Sequence, residues 1–412
     1  MFETDDHRDL RRQARDFAHA EIAPHAARLD AHPGRVETEI VKAMARPGWL
    51  TAAVPAARGG AGLGHVAKLV LLEEISQASP AMGAALQASQ LGAEMFLHYG
   101  SDELLAEWMP QFSLGERLAT IAVTETESGG HVLGMRATGH RDGDRWILNG
   151  RKTFIGNSHL ADVFGVVVRT APDSGRSSRS LSAFAVETKR AGVRLAPYAP
   201  ARGLHGFSFG DVIFEDVAVP AAHMIGAEGE GMHVAYAASI LAGRLCLAGL
   251  GIGIQHALKH DTITYTTHCH RYGGALSDLP VIQQRIGWIT ARLMRSRTAA
   301  YTAAHLLDHG QGRDIDLIHA KLEASEAALD SAGDAMRAHG AARMRTDRRV
   351  GQLAQDAWCV EAAAGTSDIQ LLKLAQDATG NGHLPYSVRL ADRVALPPPP
   401  APPSKTAREH AA

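Results

Sequence analysis

The chain has 412 residues, and this length alone favours two or three domains rather than one small core. Its 42 basic and 44 acidic residues give a formal net charge of -2, which provides no electrostatic footprint for nucleic acid or for an anionic membrane surface. The composition therefore favours a globular protein whose partner is not a polyanion.

The cysteines and the N-terminal residues indicate the cellular compartment. Cys246, Cys269 and Cys359 are far apart and have neither the spacing of a zinc site nor an obvious pairing. The first residues, MFETDDHRDLRRQARDF, are charged and lack the apolar core of a signal peptide. No uncharged apolar run approaches the ~20 residues that cross a bilayer. We therefore expect a cytoplasmic protein with reduced thiols and no bound metal.

Residues 1–120 have the period of helices. Apolar side chains recur three or four positions apart, as at Leu10, Ala14 and Phe17. This spacing places one side chain above the next on a single helix face, which can then pack on a core. The pattern predicts an N-terminal helical domain.

Residues 121–226 have a different pattern, with short alternating or β-branched runs such as RWILNG and VFGVVVRT. Asp142-Gly143 and Asn149-Gly150 are pairs typical of tight turns between strands. These runs predict a middle domain that resembles a β-barrel.

The helical period returns over residues 227–391, where it predicts a C-terminal four-helix bundle. Residues 392–412 are rich in proline and are predicted to be disordered. They end in the sequence ALPPPPAPPSKTAREHAA. The expected fold class is α+β.

Five motifs in the order in which they occur here resemble the acyl-CoA dehydrogenase family. They are LTAAVPAARGGAGLG with LVLLEEIS, HYGSDELLAEWMPQFSLGERLATIAVTE, FEDVAVPAAHMIGAEGEGM, RYGGALSDLPVIQQRIG and AGTSDIQ. The resemblance implies that family's fold, an FAD cofactor, a homotetramer or homodimer, and an acyl thioester substrate bound to CoA or to an acyl carrier protein.

The resemblance also implies where FAD binds. VTETESGG is the flavin loop, in which backbone N-H groups and the hydroxyls of Thr124 and Ser128 donate to the cofactor. Phe154 replaces the aromatic residue that covers the flavin ring. Gly156 replaces a threonine that bonds the flavin, so Asn157 or Ser158 is expected to compensate.

Two segments on the cofactor rim depart from the family pattern. The family arginine falls on Cys269, and Arg271 is the displaced substitute, since its long side chain with five donors tolerates a shift. Gln283 is the nearest amide to the family glutamine position, which is Pro280. The complete predicted set of cofactor-binding residues is Val123, Thr124, Ser128, Gly129, Phe154, Ile155, Gly156, Arg271, Gln283, Thr366 and Asp368.

The catalytic base of the family has no counterpart. The usual glutamate position before Gly-Thr is Ala364, and the alternative position before an arginine on an earlier helix is Gly243. Glu361, one helical turn before Ala364, is the candidate for a relocated base, and its alternative interpretation is a solvated helix carboxylate. His131 and His205 are further candidates.

Substrate contacts are implied at Gly130, Arg244, Ala364 and Gly365. Arg244 remains from an Asp-x-x-Arg pattern that helps to hold CoA, but the aspartate position is Leu241. Because the aspartate is replaced, the substrate is expected to be either a CoA thioester or an acyl-carrier-protein thioester.

The sequence favours an FAD-dependent dehydrogenase or desaturase of an unusual acyl thioester, in secondary metabolism by analogy. Two alternatives remain. One is a flavin-dependent monooxygenase on the same fold, and the other is an inactive scaffold that binds an acyl thioester. The electron acceptor stays open.

Overall fold

The computed structural model describes residues 2–171 and 177–382. The predicted tail at 392–412 and the last residues of the predicted bundle lie outside this part of the chain. The described helices are α1 (Asp5–Phe17), α2 (Ala23–Ala31), α3 (Thr38–Ala43), α4 (Gly64–Ala78), α5 (Pro80–Tyr99), α6 (Asp102–Leu114), α7 (Gly231–Ala237), α8 (Leu245–His268), α9 (Pro280–Asp308), α10 (Asp314–His339), α11 (Val350–Ala362) and α12 (Ser367–Ala378).

The strands lie between α6 and α7, except for a short hairpin before α9. They are β1 (Ala119–Ala122), β2 (Thr138–Asp142), β3 (Arg145–Gly156), β4 (Val163–Arg169), β5 (Leu181–Glu187), β6 (Val193–Leu195), β7 (Phe209–Pro220), β8 (Met224–Ile225), β9 (His270–Arg271) and β10 (Gly274–Ala275). The order of helices, sheet and helices confirms the predicted α+β class.

The N-terminal helices are joined to the C-terminal bundle by a buried carboxylate on α4. Glu73 accepts hydrogen bonds from Arg11 of α1 at 3.2 Å and from Tyr301 of α9 at 2.6 Å, and it pairs with His256 of α8 at 2.8 Å. Burial raises its pKa, but the hydrogen bond of His256 and the charges of Arg11 and Arg297 prevail and lower the pKa of Glu73 to about 2. The carboxylate is therefore ionised where four helices meet.

The middle domain is an eight-stranded sheet in the order β6-β7-β3-β2-β4-β5-β8, and β1 adds to it in parallel beside β4. The path runs from β6 to β8 as an open sheet rather than a closed barrel. Asp142-Gly143 forms the predicted turn between β2 and β3.

Asn149-Gly150 is not a turn, and this part of the prediction is wrong. The pair lies inside β3, where the register against β7 shifts. A Cβ at Gly150 would lie 2.4 Å from the Cβ of Ala137, so the irregularity needs glycine at this position. Asn149 donates from its amide to Asp216 of β7 at 3.0 Å.

Helices α8, α9, α10 and α11 pack on one another as the predicted four-helix bundle. A π-helical turn over Ala238–Arg244 joins α7 to α8. Within the described residues, the run Gly231–His268 is the one that is long and apolar enough to span a membrane, and 94% of its most apolar window is buried inside the protein. Its apolar surface is thus used by the core.

Candidate functional site

The predicted flavin loop is fixed to β3 by main-chain and side-chain bonds. The N-H of Thr153 donates to the carbonyl of Thr124 at 2.9 Å. The ammonium of Lys152 donates to the carbonyl of Val123 at 3.0 Å and pairs with Glu125 at 2.8 Å. Burial outweighs this pairing and lowers the pKa of Lys152 to about 8. The structure thus brings together two of the predicted cofactor segments.

Two buried hydroxyls at this junction have no protein partner. Ser128 is 1% exposed, and neither its Oγ nor the Oγ1 of Thr153 makes a hydrogen bond within the described chain. A buried hydroxyl without a partner costs about 1–3 kcal/mol, so such pairs are expected where a ligand completes them. A Cβ at Gly129 would meet nothing within 4 Å, which leaves space beside the loop. These residues fit the polar edge of a flavin.

An exposed aromatic surface lies on the same strand. Phe154 is 57% exposed and has a φ of 57°, which a non-glycine residue seldom adopts. Its ring stacks on Phe209 of β7 at 5.7 Å, and Phe209 stacks on Phe207 at 6.3 Å. By contrast, Ile155 is buried in the sheet core. A strained residue that holds a large ring at the surface is typical of a binding site.

The two residues expected to replace the family threonine at Gly156 are both buried. A Cβ at Gly156 would lie 2.8 Å from the ring of Phe207, so that ring fills the place of a side chain. The amide nitrogen of Asn157 donates to the carbonyl of Ala85 at 2.8 Å, and its Oδ1 has no hydrogen-bond partner among the described residues. The buried hydroxyl of Ser158 bonds the neighbouring histidine ring at 3.0 Å. The compensating contact with the flavin therefore stays a prediction.

The last signature forms the turn between α11 and α12 and meets the flavin loop. A Cβ at Gly130 would lie 3.5 Å from the Cδ1 of Ile369 on α12. Thr366 precedes the first residue of α12 and Asp368 lies in its first turn, and both are exposed. The predicted residues of the flavin loop and of this turn thus lie on adjoining segments.

This turn is held from inside by a buried glutamine and a buried arginine. The amide of Gln370 donates to the carbonyls of Ala364 at 3.1 Å and of Gly365 at 2.9 Å. The Nε of Arg244 donates to the Oε1 of Gln370 at 2.9 Å. Arg244 is 3% exposed, and burial lowers its pKa to about 10. It therefore supports the turn through Gln370, although the sequence suggested a direct substrate contact.

Glu361 and Lys321 complete the support. The N-H of Ser367 donates to the carboxylate of Glu361 at 2.6 Å, so Glu361 caps the N-terminus of α12. Lys321 of α10 donates to the carbonyls of Glu361 at 2.6 Å and of Gly365 at 2.9 Å. Burial lowers the pKa of Lys321 to about 8. Glu361, the candidate for a relocated base, therefore accepts a hydrogen bond from a backbone N-H.

The two family positions for a base face the same space. A Cβ at Gly243 would lie 3.8 Å from the Cβ of Ala364 and 3.6 Å from the Cδ1 of Leu91 on α5. These are ordinary van der Waals distances, so a Cβ at position 243 fits beside the Cβ of Ala364. Neither position supplies a carboxylate.

Arg271 and Gln283 lie on a different surface. Arg271 is exposed on the β9–β10 hairpin and donates to the carbonyl of His270 at 2.7 Å, and Gln283 is exposed on the first turn of α9. Near the hairpin is a cleft of about 580 Å³ whose lining includes Tyr265, His339 and Arg348. The sequence did not predict this cleft because its walls come from separate helices.

Tyr265 stacks on His339 in this cleft, with ring centroids 4.5 Å apart.

In the described part of the chain, no group of three or more His, Cys, Asp or Glu side chains is placed to hold a metal ion.

Comparisons with known proteins agree with this architecture. Models of the N-terminal, middle and C-terminal domains of acyl-CoA dehydrogenases match residues 4–116, 120–217 and 229–379. An acyl-CoA dehydrogenase of Bacillus subtilis is 31% identical over 372 residues, which are 90% of this chain and 97% of the relative.

Two solved structures are also similar. A glutaryl-coenzyme A dehydrogenase with glutaryl-CoA has a TM-score of 0.88 and 29% identity, and the match covers 92% of this chain and 98% of that one. PigA with FAD and proline has a TM-score of 0.86 and 27% identity over 92% of this chain and 98% of that one.

The chain belongs to the acyl-CoA dehydrogenase family. It is an FAD-dependent oxidoreductase that acts on CH-CH groups of an acyl thioester.

The unpartnered hydroxyl of Ser128 gives a testable expectation. Ser128→Ala should raise the Kd for FAD about tenfold, because one hydrogen bond to the cofactor is lost, and should not lower the stability of the FAD-free protein, because the hydroxyl has no partner there. Fluorescence titration of the FAD-free protein measures the affinity. Ser113→Ala is the control, since the Ser113 hydroxyl donates to the carbonyl of Gly59. An unchanged affinity in Ser128→Ala contradicts the assignment.

Proposed function

We propose that this dehydrogenase oxidises its acyl thioester without a side-chain base at either family position. The proposal rests on the close approach of Gly243 and Ala364. Both residues border the same space, and neither has a carboxylate. The nearest acidic side chain along the chain, Glu361, accepts a hydrogen bond from the first residue of α12. We infer that Glu361 positions the turn and does not remove a proton.

A missing base restricts the reaction. A general base typically contributes ~10²–10⁴-fold to a rate, so its loss is tolerated where the bond that breaks needs no removal of the α-proton. FAD, when bound, accepts the hydride. The backbone N-H of Ala364 remains available to polarise the thioester carbonyl. The proton that a CH-CH oxidation loses together with the hydride would then go to solvent water, since neither family position supplies a side chain that accepts it. We infer that oxidation occurs away from the ordinary α,β position of a simple acyl chain.

The flavin-dependent monooxygenase remains the second candidate, because its chemistry also needs no base at these positions. The inactive scaffold is disfavoured by the buried hydroxyls of Ser128 and Thr153, which cost stability unless a cofactor satisfies them. Anaerobic mixing with acyl thioesters separates the candidates. A dehydrogenase bleaches the flavin with substrate alone, whereas a monooxygenase oxygenates substrate only after reduction and admission of O₂.

The similarity to PigA with FAD and proline supports a compact acyl group that carries a polar atom, and it supports a role in secondary metabolism. Leu241 replaces the family aspartate, and Arg244 is buried against Gln370. Both observations weaken the family contact with CoA, and so support a carrier-protein thioester.

We also propose a cytoplasmic homotetramer or homodimer. Val281, Trp288 and Met294 expose large apolar side chains on α9, and Tyr272 is exposed on the adjoining hairpin. Covering such surfaces is a common reason for closed symmetric assembly. In that assembly, Arg271 and the cleft beside Tyr265 would serve the flavin of a neighbouring copy.

The proposed role of Glu361 predicts the result of a conservative change. Glu361→Gln should change the rate of anaerobic flavin reduction less than threefold, because the amide oxygen still accepts from Ser367. Glu361→Ala should lose the cap, at a cost of about 1 kcal/mol in the free energy of unfolding. Stopped-flow absorbance measures the rate. A loss of ~10²-fold or more in Glu361→Gln would establish it as the relocated base.

The shared space predicts that a base can be installed from either side. Ala364→Glu and Gly243→Glu should each give α,β-dehydrogenation of a simple acyl-CoA, raising its rate ~10²-fold or more. The double variant should be slower than either single variant at neutral pH, because two carboxylates so close cannot both ionise. Flavin bleaching and enoyl product measure the rate.

The glutamine variants at positions 364 and 243 are the controls, since they have the same shape without a base. Equal activity in the glutamine and glutamate variants would contradict the assignment of this space to the α-carbon.

A further inference from the structure

One face of α5 extends between the aromatic surface and the vacated base positions. The Cβ of Ala88 lies 3.6 Å from where a Cβ of Gly156 would be, two residues after Phe154 in the chain. One turn along, the Cδ1 of Leu91 lies 3.6 Å from where a Cβ of Gly243 would be. This face therefore borders the space in which the proposed reaction takes place.

Gln87 belongs to this face, since it lies one helical turn before Leu91. It is 8% exposed, and its amide makes no hydrogen bond within the described chain. Neither amide atom is among the buried polar atoms sealed from solvent. Solvent therefore reaches this amide on the helix face that borders the space beside Gly243.

The other buried glutamines differ from Gln87. The amide of Gln90 donates to the carbonyl of Trp49 at 2.9 Å, and that of Gln255 donates to the hydroxyl of Ser296 at 3.1 Å. Gln370 is bonded in the turn described above. A hydrocarbon chain packed against the amide of Gln87 would displace its water and leave it without a partner, at a cost in binding free energy.

We propose that the amide of Gln87 binds a polar group on the acyl chain and so sets the substrate class. The substrate is a short acyl thioester that carries a neutral hydrogen-bonding group, such as a hydroxyl or an amide N-H, instead of a plain hydrocarbon chain. This inference rests on the proposed function, because it takes the space beside Gly243 and Ala364 as the place of the α-carbon.

The helix geometry sets the approximate position of that group. Four residues of α-helix rise about 6 Å, so Gln87 lies about that far along α5 from Leu91. A glutamine amide offers one acceptor and two donors but no charge, and it therefore suits a neutral partner better than an ion. Ala84 and Ala88 flank it with small side chains, which leaves width for a substituted or cyclic acyl group.

The test compares matched thioesters in the FAD-loaded protein. N-Acetylcysteamine thioesters of butyric, pentanoic and hexanoic acid are titrated anaerobically beside their ω-hydroxy counterparts. The Kd is read from the change in flavin absorbance, and the rate of reduction from bleaching. The small thioester avoids the choice between CoA and a carrier protein.

At one chain length the wild type should bind the hydroxy compound at least about tenfold more tightly than its hydrocarbon counterpart. Gln87→Leu should abolish this preference or reverse it, with unchanged FAD content. Gln87→Met serves the same comparison if the leucine variant does not fold, because its side chain has a similar volume. Gln111→Leu is the control, since the Gln111 amide bonds its own helix at the carbonyl of Glu107.

A purely structural role for Gln87 would weaken both members of each pair equally, and that result overturns the inference. A flavin that responds to both series alike in the wild type also overturns it, while leaving the proposed function intact. If no thioester of either series alters the flavin, the proposed function fails and the inference fails with it.

Discussion

The site depends on the turn between α11 and α12, where Ala364 has a φ of 51° and Gly365 a φ of 93°. A left-handed alanine is strained, and such a conformation persists only where its surroundings fix it. Gln370 and Lys321 bind the carbonyls of this turn, and Glu361 caps the helix that follows. The fixed turn places the side chain of residue 364 beside Gly243.

This arrangement explains how the family site persists without its base. The buried cations remain because they hold backbone, which the turn needs whether or not residue 364 is acidic. Arg244 acts through Gln370, and Lys321 acts directly on two carbonyls. Replacing glutamate by alanine therefore removes a proton acceptor and leaves the architecture intact. The same space becomes available to a bulkier or more polar acyl group.

Much of this fold could be predicted from local sequence. The Asp142-Gly143 turn and the alternating strands follow from short-range backbone preferences, whereas Asn149-Gly150 has the same signature and forms an irregularity within β3. The sequence does not show that Phe207, remote from Gly156, fills the side-chain space of that glycine. Glu361 is identified as a cap only when α12 is placed, and Gln87 lies in an apolar helix where nothing in the sequence distinguishes it from packing. Contacts between separate segments decide these cases.

In the proposed reaction, neither residue 243, residue 364 nor Glu361 removes an α-proton. Exchange with solvent measures that step directly. The FAD-loaded protein is incubated anaerobically with a simple acyl-CoA in D₂O, and deuterium at the α-carbon is followed by mass spectrometry, with Ala364→Glu as the reference. The account predicts no exchange above solvent background in the wild type during the time in which the variant exchanges fully. Wild-type exchange at a comparable rate would contradict it.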